Sequence, residues 1–393
     1  MTTTNAEVSS AIKVSFVIPC LNEVLGLKSV LEDCHIGGQT SGLSYEIIVA
    51  DNGSTDGSQL IAQQLGAQVI AVAVRGYGSA LRAGIQASRG AFIMMGDADG
   101  TYCFREAPRF LQRLQHGDDL VIGNRFQGSI AHGAMPFLHR YLGNPVLSGL
   151  GRLFFGIRIG DFHCGLRCFR KEAIEQLGLS CLGMEFASEM VIKASLKRLR
   201  IAEVPTSLMP DHPRRSPHLR TWRDGWRHLR FMLSFSPRYA FLPLANIFLA
   251  ISLGAVISFA ADLKPFTGPN TLLIASFAFM TALVLASDYI TTRILFEHFY
   301  VYRGSSRLSR FCNWLKTYAG TNMLFQLAGL LVLASAGMLL PFVMNAGISI
   351  SSKLSNLFVF TSSCLTMISL SCYLTGAKLS TFMAISSSKN SLG

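Results

Sequence analysis

The chain has 393 residues, enough for two or three soluble domains, yet half of it is hydrophobic and only 15% is charged, where a soluble protein carries roughly a quarter. The formal charge of +12 is of a size nucleic-acid binders show, but seven arginines against the single acid Asp224 lie between Arg214 and Arg238, interleaved with Trp222 and Trp226, directly before a long apolar run. Arg and Trp at such a place suit anionic headgroups and the interfacial belt, so nucleic acid is set aside, and nine cysteines without a CxxC pair fit a reducing compartment and no disulfide framework.

The first residues, MTTTNAEVSSAIK, contain no apolar signal core, and the expectation is that nothing exports the half that follows. That half reads as alternating short β-branched runs and helical stretches. Strands are expected at Val14 to Ile18, Glu46 to Ala50, Val69 to Val74 and Ala91 to Met95, with helices at Glu23 to Cys34, Ser58 to Leu65 and Gly78 to Ala87. This order predicts a parallel α/β sheet covered on both faces, with the ligand site outside the carboxyl ends of the strands. Those ends carry Pro19, Leu21, Asn22 and Glu23, then Asp51, Gly53 and Asp56, then Arg75 and Gly76, then Asp97 and Asp99.

Past Pro237 the charges thin out. Four apolar runs reach the roughly 20 residues of a bilayer-crossing helix, and they predict spans over 239–261, 270–289, 321–343 and 354–377. The expected organisation is a catalytic domain over 1–212, a basic juxtamembrane segment over 213–238, a transmembrane domain over 239–378 and a polar tail over 379–393. The connection between the second and third spans holds Arg293, Arg303, Arg307, Arg310 and Lys316, whereas the other two hold Lys264 and Lys353. By the positive-inside rule the basic connection, both termini and the catalytic domain share the cytoplasmic side of an integral membrane protein. The segment from His218 to Arg230 reads as an interfacial helix or, alternatively, as a solvated basic helix packed on the first domain, and the spans contain no charge away from their ends, which argues against transport.

Three of the four strand ends bring carboxylates. Acids repel a diphosphate unless a divalent cation sits between them, and Asp97-Ala98-Asp99 offers hard oxygen ligands for Mg²⁺ or Mn²⁺. Asp51 to Gly57 is a turn and helix-start sequence with Ser54 or Asp56 as cap, and Asp51 is also placed to bond a nucleotide's base or ribose. Cys164 and Cys168 lack the Cys/His neighbours that complete a zinc site. Gly76 to Gly84 lacks the dinucleotide spacing and follows the third strand, and no G-x-x-x-x-G-K-[ST] loop occurs, which excludes hydride transfer and P-loop chemistry.

In this order, Ile18-Pro19-Cys20-Leu21-Asn22-Glu23, Asp51-Asn52-Gly53-Ser54-Thr55-Asp56, Arg75 to Arg82, Gly96-Asp97-Ala98-Asp99-Gly100-Thr101-Tyr102, Gly123-Asn124-Arg125-Phe126 and Gly160 to Arg167 resemble the family 2 glycosyltransferases of the GT-A fold. Within that family they are most similar to the dolichol-phosphate mannose synthase and polyprenyl-phosphate glucosyltransferase branch. The resemblance implies a nucleotide-diphospho-sugar transferase domain, Rossmann-like and GT-A, followed by a helical transmembrane domain. It implies donor binding by Pro19, Leu21, Glu23, Asp51, Gly53, Arg75, Gly76 and Asp97, metal binding by Asp97 and Asp99, and an acceptor-phosphate clamp of Arg125, Arg140 and Asn144. The catalytic set is then Asp97, Asp99, Arg125 and Arg140, and the partners are a nucleotide-diphosphate sugar, a polyprenyl phosphate and the membrane; homo-oligomers are compatible with it. Two features depart from the branch or set it apart: Asn52 stands where a second acid is usual, and no Q-x-x-R-W of processive synthases occurs, which points to one sugar per event. Asp161 and Glu185 are the candidate bases for a hydroxyl acceptor. A non-enzymatic sugar-nucleotide-sensing transport module is the third function compatible with the chain.

Overall fold

The computed structural model describes residues 12–211, 221–265, 268–299, 310–311, 314–315, 317–343 and 352–390. The chain divides into two compact units, Met1–Phe235 and Ser236–Gly393.

The first unit is built on one seven-stranded sheet. Its strands are β1 (Val14–Cys20), β2 (Tyr45–Asp51), β3 (Gln68–Ala71), β4 (Phe92–Met95), β5 (Leu120–Ile130), β6 (Arg167–Arg170) and β7 (Ile201–Leu208), in the spatial order β3-β2-β1-β4-β6-β5-β7. Every residue of β1 is buried, the pattern of a central parallel strand covered on both faces. The connecting helices are α1 (Val24–Ser41), α2 (Ser58–Gln64), α3 (Tyr77–Ala87), α4 (Ala107–Gln115), α5 (Asn144–Phe155), α6 (Lys171–Glu175) and α7 (Glu185–Leu196). Each strand and helix expected up to β4 is present, with α1 running on to Ser41 and β3 stopping at Ala71.

The expected all-parallel sheet needs correction. Strand β6 runs antiparallel to both β4 and β5, so the sheet is mixed. Its sequence, Arg-Cys-Phe-Arg, does not read as a core strand, and the reason it lies in one is local. The fully buried Arg167 guanidinium donates to the carbonyls of Cys164, Ala187 and Phe162, which gives each of its three nitrogens a partner. Strand β7 is an edge strand whose buried and half-exposed residues alternate, and it carries Pro205 where no further strand needs its missing N–H.

Helix α8 (Thr221–Ser234) also belongs to the first unit. Arg227 pairs with Glu185 at 2.6 Å, His228 Nδ1 lies 2.9 Å from Ser188 Oγ, and Met232 is fully buried in the core. The part of the expected interfacial helix before Thr221 lies outside the described residues.

The second unit consists of α9 (Pro237–Ala260), α10 (Pro269–Phe299), α11 (Tyr318–Val343) and α12 (Ser352–Asn390). Among the described residues, four segments are long and apolar enough to cross a membrane: Pro237–Ala260, Asn270–Phe296, Ala319–Ala336 and Val359–Ser380. The second runs on past the expected 289 to Phe296, which adds Arg293 and moves Asp288 in from the end, so the reading that the spans hold no charge away from their ends is corrected for Asp288. Asp288 is not isolated, because Lys378 Nζ reaches it at 2.6 Å. Ser287 and Thr375 join the same two helices, and Ser335, Ser362 and Thr366 share hydroxyl bonds between α11 and α12. The expected polar tail continues α12 as helix to Asn390. Of the basic connection, Arg303, Arg307 and Lys316 lie outside the described residues.

Candidate active site

The carboxyl ends of β1, β2, β3 and β4 are stitched to one another by polar side chains. Asn22 takes a left-handed conformation, φ 57, in which its N–H donates to Ser54 Oγ at 2.9 Å and its Oδ1 accepts from Thr55 N at 2.8 Å. Asp56 reaches two helix starts: its Oδ1 accepts from Ser58 N at 3.0 Å, at the first residue of α2, and its Oδ2 accepts from Val24 N at 2.9 Å, at the first residue of α1. Burial works against its ionisation, yet the bonds from Ser58 and Val24 outweigh it and hold the carboxyl below its usual range. Pro19 is buried at the end of β1, Leu21 is exposed, and Glu23 is nearly buried with its N–H on Ser58 Oγ at 3.1 Å.

Asp51 is 2% exposed, and its carboxylate accepts from Gly53 N, Ser54 N and Gln59 Nε2, the last at 2.6 Å. Its acceptor capacity is directed into its own loop. Asn52 is also buried: its amide nitrogen donates to Val72 O and Val74 O while its oxygen accepts from Gly76 N at 2.6 Å. Gly76 itself has φ 139, and an added Cβ would sit 2.2 Å from Leu182 O, so only glycine fits there. Arg75 is exposed on the same loop and makes no ion pair among the described residues.

At the end of β4, Asp97 and Asp99 are both half-buried. Tyr77 donates to Asp97 Oδ1 at 3.0 Å; burial and the adjacent carboxylate push its phenol well above the ordinary value, which keeps it a donor. Asp99 Oδ1 accepts from Thr101 N and Oγ1 at 3.0 and 2.7 Å. The loop lies directly on α1, where a Cβ at Gly26 would meet Asp99 backbone carbon at 2.6 Å. Oxygen donors alone, at a strand end, fit a hard divalent cation that completes its coordination with substrate oxygens. Among the described residues no group of three or more His, Cys, Asp or Glu is arranged to hold a metal by itself.

The implied phosphate clamp is arranged differently from an open pair of cations. Arg125 is 8% exposed, and its guanidinium forks onto the fully buried Asp161, with Nε to Oδ2 at 2.6 Å and Nη2 to Oδ1 at 2.8 Å. Its remaining Nη1 points to Tyr102 Oη at 3.5 Å, and that oxygen accepts from Gly165 N at 2.9 Å. Glu203 locks the partner loop, accepting from Asn124 Nδ2, Gly160 N and Asp161 N. Arg140 stands instead on a half-exposed π-helical turn, His139–Gly143, over the ring of Tyr141. Burial and then the charge of Arg125 lower the pKa of His139, which puts this turn within electrostatic range of the fork. Asn144 begins α5, with its amide 3.5 Å from Met135 Sδ.

Sequence reasoning missed Tyr77 and Tyr102, which hold Asp97 and Arg125. Both lie inside the motifs, but an aromatic in a loop gives no sign of where its hydroxyl will point. Cys164 and Cys168 are buried free thiols, and burial pushes Cys164 up to about 12.

Residues 15–178 match the family model described as "Glycosyl transferase family 2". The chain is 42% identical over 246 residues to the low-salt glycan biosynthesis hexosyltransferase Agl6 of Haloferax volcanii, an alignment that spans 60% of this chain but only 57% of that protein. It is 34% identical over 197 residues to a dolichyl-phosphate hexose transferase of the same organism, covering 48% of this chain and 79% of that one. Among solved structures, a glucosyl-3-phosphoglycerate synthase from Mycobacterium tuberculosis superposes with a TM-score of 0.45 at 24% identity, over 57% of this chain and 80% of that chain. The mixed sheet, the acids at its strand ends, the family match and the dolichyl-phosphate hexose transferase relative agree: the chain belongs to glycosyl transferase family 2, and its first unit is a GT-A domain.

Proposed function

We propose that the protein transfers one hexose, with inversion, from a nucleotide-diphosphate sugar of the UDP-glucose or GDP-mannose type to a polyprenyl phosphate at the cytoplasmic face of a membrane. One observation carries the reading. Asp97 and Asp99 follow β4, and Arg75, a cation with no ion pair among the described residues, follows β3, in a chain whose described residues include four helices long enough to cross a bilayer. The names of the relatives, a hexosyltransferase and a dolichyl-phosphate hexose transferase, support the sugar class and the lipid acceptor.

Asp97 and Asp99 would hold Mg²⁺ or Mn²⁺ together with the donor diphosphate, and the cation, when bound, supplies charge stabilisation of the departing nucleoside diphosphate. Tyr77 orients Asp97 for that task, and Arg75 meets the diphosphate. In the transfer an acceptor phosphate oxygen bonds to the anomeric carbon as its bond to the diphosphate breaks on the opposite face. A phosphate monoester has a second pKa of about 6 and is largely ionised near neutrality, so this nucleophile needs no general base. That agrees with the two candidate bases. Asp161 is buried under the Arg125 fork and Glu185 is paired with Arg227, so both carboxylates are already engaged by guanidinium groups. Arg140, on its half-exposed turn, is the cation for the acceptor phosphate, while Arg125 fixes the floor beside it. The basic residues Arg293 and Arg310 at the end of the second span and beyond it support a cytoplasmic catalytic unit.

The test is transfer by the purified, detergent-solubilised chain from UDP-glucose or GDP-mannose to polyprenyl phosphate, with and without Mg²⁺ or Mn²⁺. A sugar-phospholipid that forms only with metal, and falls about 100-fold or more in Asp99→Ala, is the expected result. Transfer to a glycolipid hydroxyl and none to polyprenyl phosphate would overturn the acceptor; nucleotide binding without transfer to either would leave a sensor.

A further inference from the structure

Where the family usually has a second acid after Asp51, this chain has Asn52, and its surroundings accept only an amide. Two main-chain carbonyls, of Val72 at 3.1 Å and Val74 at 2.9 Å, need donors, and the N–H of Gly76, at 2.6 Å, needs an acceptor. An asparagine side chain satisfies all three at once, and the partners themselves decide which end is nitrogen. A carboxylate, having only acceptors, would face two carbonyl oxygens. The backbone of residue 52 is fixed as well, its N–H on Cys20 O at 2.9 Å. One buried side chain therefore ties β1 and β2 to the whole turn from Val72 to Gly76, and Arg75 is the residue at the apex of that tie.

We infer that Asn52 is a positioning residue for the donor: it does not read the base, but holds the 72–76 turn so that Arg75 faces the diphosphate. The inference rests on the donor reading above. Its consequence for specificity is that the base is recognised elsewhere, so loss of Asn52 weakens uridine and guanosine diphosphates by the same factor.

The experiment titrates UDP and GDP, each with Mn²⁺, into the full detergent-solubilised chain and into Asn52→Asp, Asn52→Ala, Arg75→Ala and Asn52→Ala/Arg75→Ala. The expected result is a Kd for Asn52→Asp and for Arg75→Ala raised about tenfold, with the ratio of UDP to GDP affinity kept within about twofold, and a double variant no weaker than Arg75→Ala. Should the aspartate variant fail to fold, Asn52→Ala carries the same comparison, since water can reach the turn it frees. Wild-type affinity in either Asn52 variant, a changed base ratio, or additive losses in the double variant would each overturn the inference alone. A wild-type chain that binds neither nucleotide would remove the donor reading together with it.

Discussion

His163 sits next to the candidate site, half-buried, with its Nδ1 shielded from water. Its Nε2 lies 3.4 Å from Ser188 Oγ, which also meets His228, and Nδ1 has no hydrogen-bond partner. Burial first, then the charges of His228, Arg167 and Arg125, hold its pKa well below the ordinary value of 6.5. Between that depressed value and 6.5 the unfolded chain binds the proton and the folded one does not, so stability is complete above about pH 6.5 and declines as pH falls. The slope from this one group approaches about 1.4 kcal/mol per pH unit. The carboxylates with lowered values, Glu46, Asp56 and Glu189, act only below their ordinary range, so the window from about pH 6.5 to about pH 5 belongs to His163 and to His139, whose value is lowered less. The melting temperature of the full chain should drop across that window, and His163→Phe should flatten much of the drop; an unchanged slope would mean that another group titrates there. At this scale the sequence was informative wherever a charge stood at a strand end, as with Asp97, Asp99 and Arg75. It was silent about partners. Nothing in the spacing of Arg125 and Asp161 announces that they neutralise each other, because the fork forms across a loop whose path is set by Glu203 on β7.

Helices and strands differ in how much of their environment is local. The first four strands are legible because each is a short run of buried β-branched or apolar residues closed by a polar turn, and a parallel order follows from the helices between them. Strand β6 is not legible, since its place between β4 and β5 depends on Arg167 finding three carbonyls contributed by two other segments. Helix α8 poses the same problem in another form. Its seven-arginine neighbourhood reads as a lipid-facing segment, yet Arg227 and His228 turn to α7, and Met232 is fully buried beside Gly151 and Phe162. That packing makes α8 a wall of the catalytic unit as well as the lead into the first span. Met232→Ala should therefore cost about 2–5 kcal/mol of the unit's stability, the usual range for a core methionine truncation. Denaturant unfolding followed by tryptophan fluorescence measures this, and a loss below about 0.5 kcal/mol, typical of a surface site, would detach α8 from the core.

In the second unit the spans were legible from length and apolarity, but their mutual attachment was not, because in hydrocarbon the specific contacts between helices are packing and polar pairs. The Asp288–Lys378 pair, with Ser287 beside Asp288 bonded to Thr375 about one turn before Lys378, fastens α10 to α12. At about 1.5 Å per residue, Asp288 lies about 27 Å along the span from Asn270, close to the far edge of a hydrocarbon core of about 30 Å. Its two partners are not equivalent there. A lysine left alone can extend its four-carbon stem to the interface, whereas an aspartate left alone is too short to do so. Lys378→Leu should thus destabilise the chain more than Asp288→Leu, and Asp288→Leu/Lys378→Leu should recover most of the loss, because removing both charges leaves none unpaired. Thermal unfolding of the full chain in detergent and in lipid nanodiscs measures all three, with the asymmetry larger in lipid. Equal losses for the two single variants, or a double variant as weak as their sum, would show that the pair lies in the headgroup water, where an ion pair adds little.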